Sequence, residues 1–190
     1  MKPAAELRQG STYRKDNIPY LILKAERHQS TSGKRQRAAE VKFKTKELIS
    51  GKIQEITVLA TELMDDIILD RNQMQFLYES EGEYFFMDQE TFEQITLSTE
   101  DLGDAVNFLE EEMIIQVLMY EGTPVGVELP NTVVREVTYT EPGLKGDTIG
   151  RATKPATVST GYTLQVPLFV AIGDKIKIDT RTGEYIERAN

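Results

Sequence analysis

Apolar residues in this chain recur at every second position in short runs, each cut off by glycine, proline or a polar cluster. Val41, Phe43 and Thr45 alternate with Lys42, Lys44 and Lys46. Successive side chains of an extended strand point to opposite faces, so this stretch sets an apolar row against a lysine row. "IPYLILKAE" (18–26) reads as its partner strand. The polar, glycine-containing stretch 29–37 between them reads as the long, basic, exposed tip of a β-hairpin. Ser50-Gly51-Lys52 marks the next turn and "IQEITVLA" a further strand, so residues 1–64 hold enough strands for a small barrel.

The same grammar continues to the end. "IILD", "MQFLYE" and "EYFFMD" follow as strands, the last two joined by a turn at Ser80-Glu81-Gly82. "STEDLGDAVNFLEEE" is the best helix candidate, with Ser98 as cap and Asp101 three residues on as a weaker capping box. "MIIQVLMYEGTPVGVEL" reads as two strands round Glu121-Gly122, "TVVREVTYT" as another, and 141–155 as loop. "TVSTGYTLQVPLFV", "DKIKID" and "GEYIER" close the chain. Many short strands punctuated every eight to twelve residues or so, with about one helix, predict an all-β protein of sandwiches or barrels.

Composition narrows the function classes. The 190 residues include no cysteine, which excludes disulfides, thiolate catalysis, zinc ribbons and iron–sulfur clusters. No apolar run approaches the ~20 residues of a membrane span. "MKPAAELRQG" lacks the apolar segment of a secretory signal, so a cytoplasmic protein is expected. The formal charge of −9 is unevenly spread, with +6 over residues 1–64 and −15 over the remainder. Basic residues gather at Lys24, Arg27, Lys34, Arg35, Arg37, Lys42, Lys44 and Lys46, which points one end of the molecule toward a polyanion.

Motifs for other chemistry fail on spacing. Gly33-Lys34 lacks the earlier glycine, the following Ser or Thr and the helix of a phosphate loop. Gly143-Leu144-Lys145-Gly146 has the spacing of a nucleic-acid clamp but no helix pair around it. His28 is the only histidine, too few for a multi-histidine metal site. Glu110-Glu111-Glu112 and Asp65-Asp66 read as solvated faces. Tyr78, Tyr84, Phe85, Phe86 and Phe92 could stack on bases, but the alternation in "EYFFMD" sends Tyr84 and Phe86 one way, as core packing requires.

In the last third, Lys154-x-Ala156, Gly161, Leu164, Val166-Pro167, Val170 and Gly173 match at their spacing the signature of the bacterial translation elongation factor P family. "PGLKGDT" (142–148), "VPLFVAIGDKIKIDTRTGEYIER" (166–188) and "MDQETFEQI" (87–95) resemble the same family, and the likeness runs over essentially the whole chain. It implies three small β-barrels in an L shape: an SH3-like (KOW-type) domain over 1–64, then OB-folds over 65–129 and 130–190. It implies a factor, not an enzyme, that binds the 70S ribosome beside the peptidyl tRNA in the P site and touches ribosomal RNA. Such a factor relieves stalling at consecutive prolines. No cofactor, metal or membrane is implied, and a monomer is expected.

In this family the first hairpin reaches toward the CCA end of the peptidyl tRNA. Its tip commonly reads K-P-G-K-G-Q, and the second lysine is often extended by a modification. Gly33-Lys34 and Gln36 align with the later part, so the resemblance makes Lys34 the tip lysine and implies a lysine-modifying enzyme as a further partner. "QSTS" stands in place of the Lys-Pro pair, Arg35 replaces the next glycine, and the loop is longer. These departures resemble the elongation factor P-like paralogue subgroup and bring Arg35 and Arg37 to the tip beside Lys34. Lys42, Lys44 and Lys46 would follow the tRNA backbone, and Gly146-Asp147-Thr148 matches a motif that the family places near the exit-site codon. The competing reading is an autonomous single-strand RNA-binding or RNA-chaperone module built on OB-folds, against which the acidic charge of the second and third domains counts.

Overall fold

The computed structural model describes residues 1–28, 39–143 and 152–189. The all-β expectation holds: three antiparallel sheets follow one another along the chain. The first contains β1 (Lys2–Pro3), β2 (Thr12–Lys15), β3 (Ile18–His28), β4 (Glu40–Glu47), β5 (Ile53–Leu59) and β6 (Leu63–Ile67), in the order β1-β6-β2-β3-β4-β5. Asp16 and Asn17 join β2 to β3 with φ of 51° and 66°. Two left-handed residues in a two-residue loop match the twist of paired strands, and Lys15 accordingly faces Ile18 across the ladder. Tyr13, Tyr20, Ile22, Val41 and Phe43 form the core with Ala4, Leu7 and Met64. The Tyr13 and Tyr20 rings stack at 5.2 Å.

The second sheet contains β7 (Asp70–Ser80), β8 (Glu83–Asp88), β9 (Gln94–Ser98), β10 (Ile114–Tyr120) and β11 (Thr123–Glu128), in the order β11-β10-β7-β8-β9. Glu81-Gly82 and Glu121-Gly122 are its tight hairpin turns, each a positive-φ pair. The separate strand expected at 67–70 is absent: β6 ends at Ile67, and β7 begins only at Asp70. The helix expected over 98–112 is also much shorter. The capping box forms as read, with Asp101 N–H donating to Ser98 Oγ and Ser98 N–H to the Asp101 carboxylate. But α1 (Thr99–Leu102) ends at Gly103, whose φ of +56° suits a residue without Cβ. A 3-10 turn, Gly103–Asn107, follows. Phe108 is then drawn out of helical register into an apolar cluster that it shares with Val133, Val137 and Val158.

The third sheet contains β12 (Thr132–Thr140), β13 (Thr153–Val158), β14 (Thr163–Pro167), β15 (Lys175–Asp179) and β16 (Tyr185–Arg188), in the order β14-β13-β12-β15-β16. Inward residues alternate along each strand, with Val137, Val166, Ile176 and Ile178 fully buried. By compactness the chain forms two units, one of residues 1–71 with 118–126, the other of 72–117 with 127–190. Within the first, Leu48 and Leu69 pack with Leu118 and Val125. Within the second, Phe108 joins the third sheet's core and meets Tyr162 edge-on at 5.2 Å.

Candidate RNA-contacting face

The expected lysine row lies on the outer side of β4. Val41, Phe43 and Thr45 are at most 1% exposed, while Lys42, Lys44 and Lys46 point the other way. Facing strands complete this surface through an irregularity that periodicity alone does not reveal. Ile22 pairs with Thr45, yet Lys24 pairs with Lys44, so the register shifts by one between Ile22 and Lys24. Had the ladder run on without this bulge, Lys24 would oppose buried Phe43 and point inward. The extra residue returns Lys24, Glu26 and His28 to the outer face. On the other side of β4, Lys44 faces Glu55 and Lys42 faces Thr57.

The lysines are therefore not bare. Lys42 Nζ lies 2.7 Å from Glu55 Oε2, and Lys24 pairs with Glu26 two residues along its own strand. The Glu55 carboxylate holds the Lys42 ammonium above its usual pKa. Lys24, as hydrogen-bond donor and nearby cation, pulls the Glu26 carboxyl below the ordinary range. His28 Nε2 stands 4.0 Å from Glu26, at the exposed end of β3, as a strand-end histidine would. Among the described residues no carboxylate pairs with Lys44. Lys24, Glu26, Lys42, Lys44 and Glu55 line an open groove of about 150 Å³.

Glu26, Glu40 and Glu55 are members of this face that the sequence reading did not assign, and Lys24, named there only within the basic cluster, joins them. The signal for Glu55 was present: alternation along "IQEITVL" and a short turn at Gly51 place it beside the lysine row. Glu26 and Lys24 needed the bulge.

The expected tip, Gly33, Lys34, Arg35, Gln36 and Arg37, lies outside the described residues, as do Gly146, Asp147 and Thr148. The strands bracketing the tip segment pair to their ends, with His28 opposite Glu40. The chain on either side of residues 144–151 is also tied together. Thr140 Oγ1 donates to the Pro155 carbonyl at 2.9 Å. Buried Lys154 donates to the Glu141 carbonyl. Gly143 abuts the Leu168 carbonyl, which a Cβ there would meet at 2.6 Å.

The remaining aromatic candidates divide: Phe92 is 70% exposed and lies outside the core, whereas the others pack against neighbouring rings. Phe86 is buried, with the Phe76 ring 5.4 Å away. Tyr78 and Phe85 stack on each other at 4.6 Å, on the opposite face. Asp65 binds Arg14, and Asp66 binds Lys2 and the terminal ammonium. Among the described residues no group of acidic or histidine side chains could hold a metal ion, and no helix is long and apolar enough to cross a membrane.

Comparison with known proteins matches all three segments. Residues 3–64 match the family model described as the elongation factor P KOW-like domain, residues 69–127 the elongation factor P OB domain, and residues 133–188 the elongation factor P C-terminal domain. The chain is 54% identical over 188 residues to an elongation factor P from Fusobacterium nucleatum subsp. nucleatum, covering 99% of this chain and 98% of that one. It is 46% identical over 190 residues to one from Bordetella petrii, covering 100% of both. A solved structure described as eukaryotic translation initiation factor 5A from Methanococcus jannaschii aligns at 17% identity and a TM-score of 0.46, over 67% of this chain and 93% of that one.

Proposed function

Because this chain belongs to the elongation factor P family, and is accordingly a translation elongation factor rather than an enzyme, we propose that it binds the 70S ribosome beside the P-site peptidyl tRNA and speeds peptide-bond formation at consecutive prolines. The observation that carries this reading is the match of three successive family domains across residues 3–188, with relatives aligned over the full length. In this reading the ribosome performs the chemistry in the cytoplasm. The factor contributes position: it holds the 3′ end of the peptidyl tRNA in a reactive pose, which lowers the entropic part of the barrier.

The roles fall to the cations of the first domain, residues 1–64. Lys34 at the tip, with Gly33 and Gln36 beside it, meets the sugar–phosphate near the CCA end; an ammonium on a flexible stem needs no single geometry to do so. Arg35 and Arg37 share that reach, and Lys34 is the residue a modifying enzyme would extend. Lys42, Lys44 and Lys46, set out along one side of β4, track the acceptor-stem backbone without reading sequence. Gly146, Asp147 and Thr148 contact the exit-site codon. The reading is supported by the lysine row itself, outward-facing on a strand whose other side buries Val41, Phe43 and Thr45.

A purified translation system with a template encoding consecutive prolines tests this proposal. Lys34→Ala is expected to keep the wild-type melting temperature and lose most stall relief, while Lys34→Arg keeps the charge and most of the activity. Full activity of Lys34→Ala would remove Lys34 from the mechanism. Absence of any effect of the wild-type protein on the template would remove the mechanism itself.

A further inference from the structure

Four lysines on the outer face of β3, β4 and β5 would make a strongly cationic strip if they stood alone. They do not. Glu26, Glu40 and Glu55 share the face with Lys24, Lys42, Lys44 and Lys46, so its net charge is close to zero. The arrangement is specific as well as balanced. Lys24 is tied to Glu26 along one strand, and Lys42 is tied to Glu55 at 2.7 Å across to the next. Both pairs border the same groove, and Lys44 stands between them, opposite Lys24 on one side and Glu55 on the other.

We propose that Glu26 and Glu55 determine the specificity of this face by occupying Lys24 and Lys42 internally, so that an RNA backbone takes the lysines over only where the rest of the interface brings it close. The inference rests on the reading that this face meets RNA. Its physics is competition between anions. A lysine already neutralised by a carboxylate attracts a distant phosphate weakly, because lysine and glutamate together carry no net charge. At contact distance the lysine exchanges one oxygen partner for another. An exposed pair is weak enough to exchange in this way. A stray RNA, docking by electrostatics alone, gains little from such a face. A ribosomal complex that holds the backbone against the groove gains the lysine contacts, less the weak pairs they displace. The internal carboxylates therefore lower affinity for free RNA more than affinity for the intended site.

Counterion release makes the proposal measurable. Each phosphate neutralised by a protein cation contributes about 0.7–0.9 to the negative slope of log K against log salt. The full-length wild type, Glu26→Gln, Glu55→Gln and the double variant would be titrated with a short RNA duplex over a salt series and sedimented with 70S ribosomes. Glu90→Gln, exposed between β8 and β9, is the control for net charge alone. The expected result is tighter duplex binding by the Gln variants, with the slope steeper by about 0.7–0.9 per substitution. The ratio of ribosome affinity to duplex affinity should fall, and Glu90→Gln should leave the slope unchanged. Unchanged duplex affinity and slope in the double variant, with wild-type sedimentation intact, would overturn the proposal. So would an equal steepening by Glu90→Gln. Failure of the wild type itself to sediment with ribosomes is a different result, and would remove the RNA-contact reading beneath it.

Discussion

Arg135 shows how much a single residue can be asked to hold. Its guanidinium is buried, donates to the carbonyls of Phe108 and Val134, and lies 3.5 Å from Glu110. Burial pushes its pKa down against the opposing pull of Glu110, and its Nε has no partner. Ser159 donates to the other oxygen of Glu110, and Thr160 to the Asn107 carbonyl, so the segment that leaves α1 is fastened to the third sheet through polar contacts around Phe108. Arg135→Met keeps the apolar stem and removes the donors, leaving a buried carbonyl and a carboxylate without their cation. It should cost about 2–4 kcal/mol, read as a lower urea midpoint. An unchanged midpoint would mean that the guanidinium contributes nothing net.

At Asp179 the same logic becomes a pH dependence. Arg181 donates two side-chain hydrogen bonds and its backbone N–H to this carboxylate, which holds its pKa down at about 2 from the ordinary 3.8. A depressed carboxylate binds its proton less readily in the folded chain than in the unfolded one. Its stabilisation is therefore complete above the unfolded value and is lost as pH falls from about 4 toward 2. The Asp179 carboxyl resonance should titrate near the lower end of that window, and Arg181→Ala should return it toward 3.8. A midpoint already near 3.8 in the wild type would contradict the pairing.

Elements were legible where one face is buried and neighbouring groups agree. The β4 alternation could be read directly, as could the Gly-containing turns and the Ser98 cap. That cap belongs to a helix of one turn, and Ser98→Ala should cost about 1 kcal/mol, measured by thermal or urea unfolding. A cost near zero would mean that the turn is held by packing alone. The helix was overread because its apolar residues, Leu102, Val106 and Leu109, keep helical spacing past Gly103. Tertiary packing of Phe108 decides the matter against that spacing. Strand β2 was missed because four residues carry too little alternation. Its Asp16-Asn17 turn was nevertheless a usable signal, since both residue types tolerate positive φ. The outward placing of Lys24 and Glu26 lay beyond reach for another reason. A single bulge near Leu23 inverts which side chains of β3 face outward, and a bulge leaves no mark on the pattern until the partner strand is known.

Over the whole molecule, charge divides the labour. Residues 72–134 contain fourteen carboxylates and no lysine, arginine or histidine, whereas the basic surplus lies within 24–46. Under the proposed function, an RNA partner would be addressed by the basic end of the chain, and the acidic remainder would discourage adhesion elsewhere. The sequence alone showed this asymmetry, and the fold added that the cations on the described strands are partly spoken for by Glu26 and Glu55. That sharpens the role the proposal gives to residues 29–38, a stretch of sequence that holds Lys34, Arg35 and Arg37 and no acidic residue. The most direct measurement replaces Lys34 with a photo-crosslinking amino acid on 70S ribosomes paused between two prolines. Crosslinks to the 3′-terminal nucleotides of the P-site tRNA are predicted. Ribosome-bound protein that crosslinks to no tRNA, or only to the tRNA body away from that end, would contradict the account.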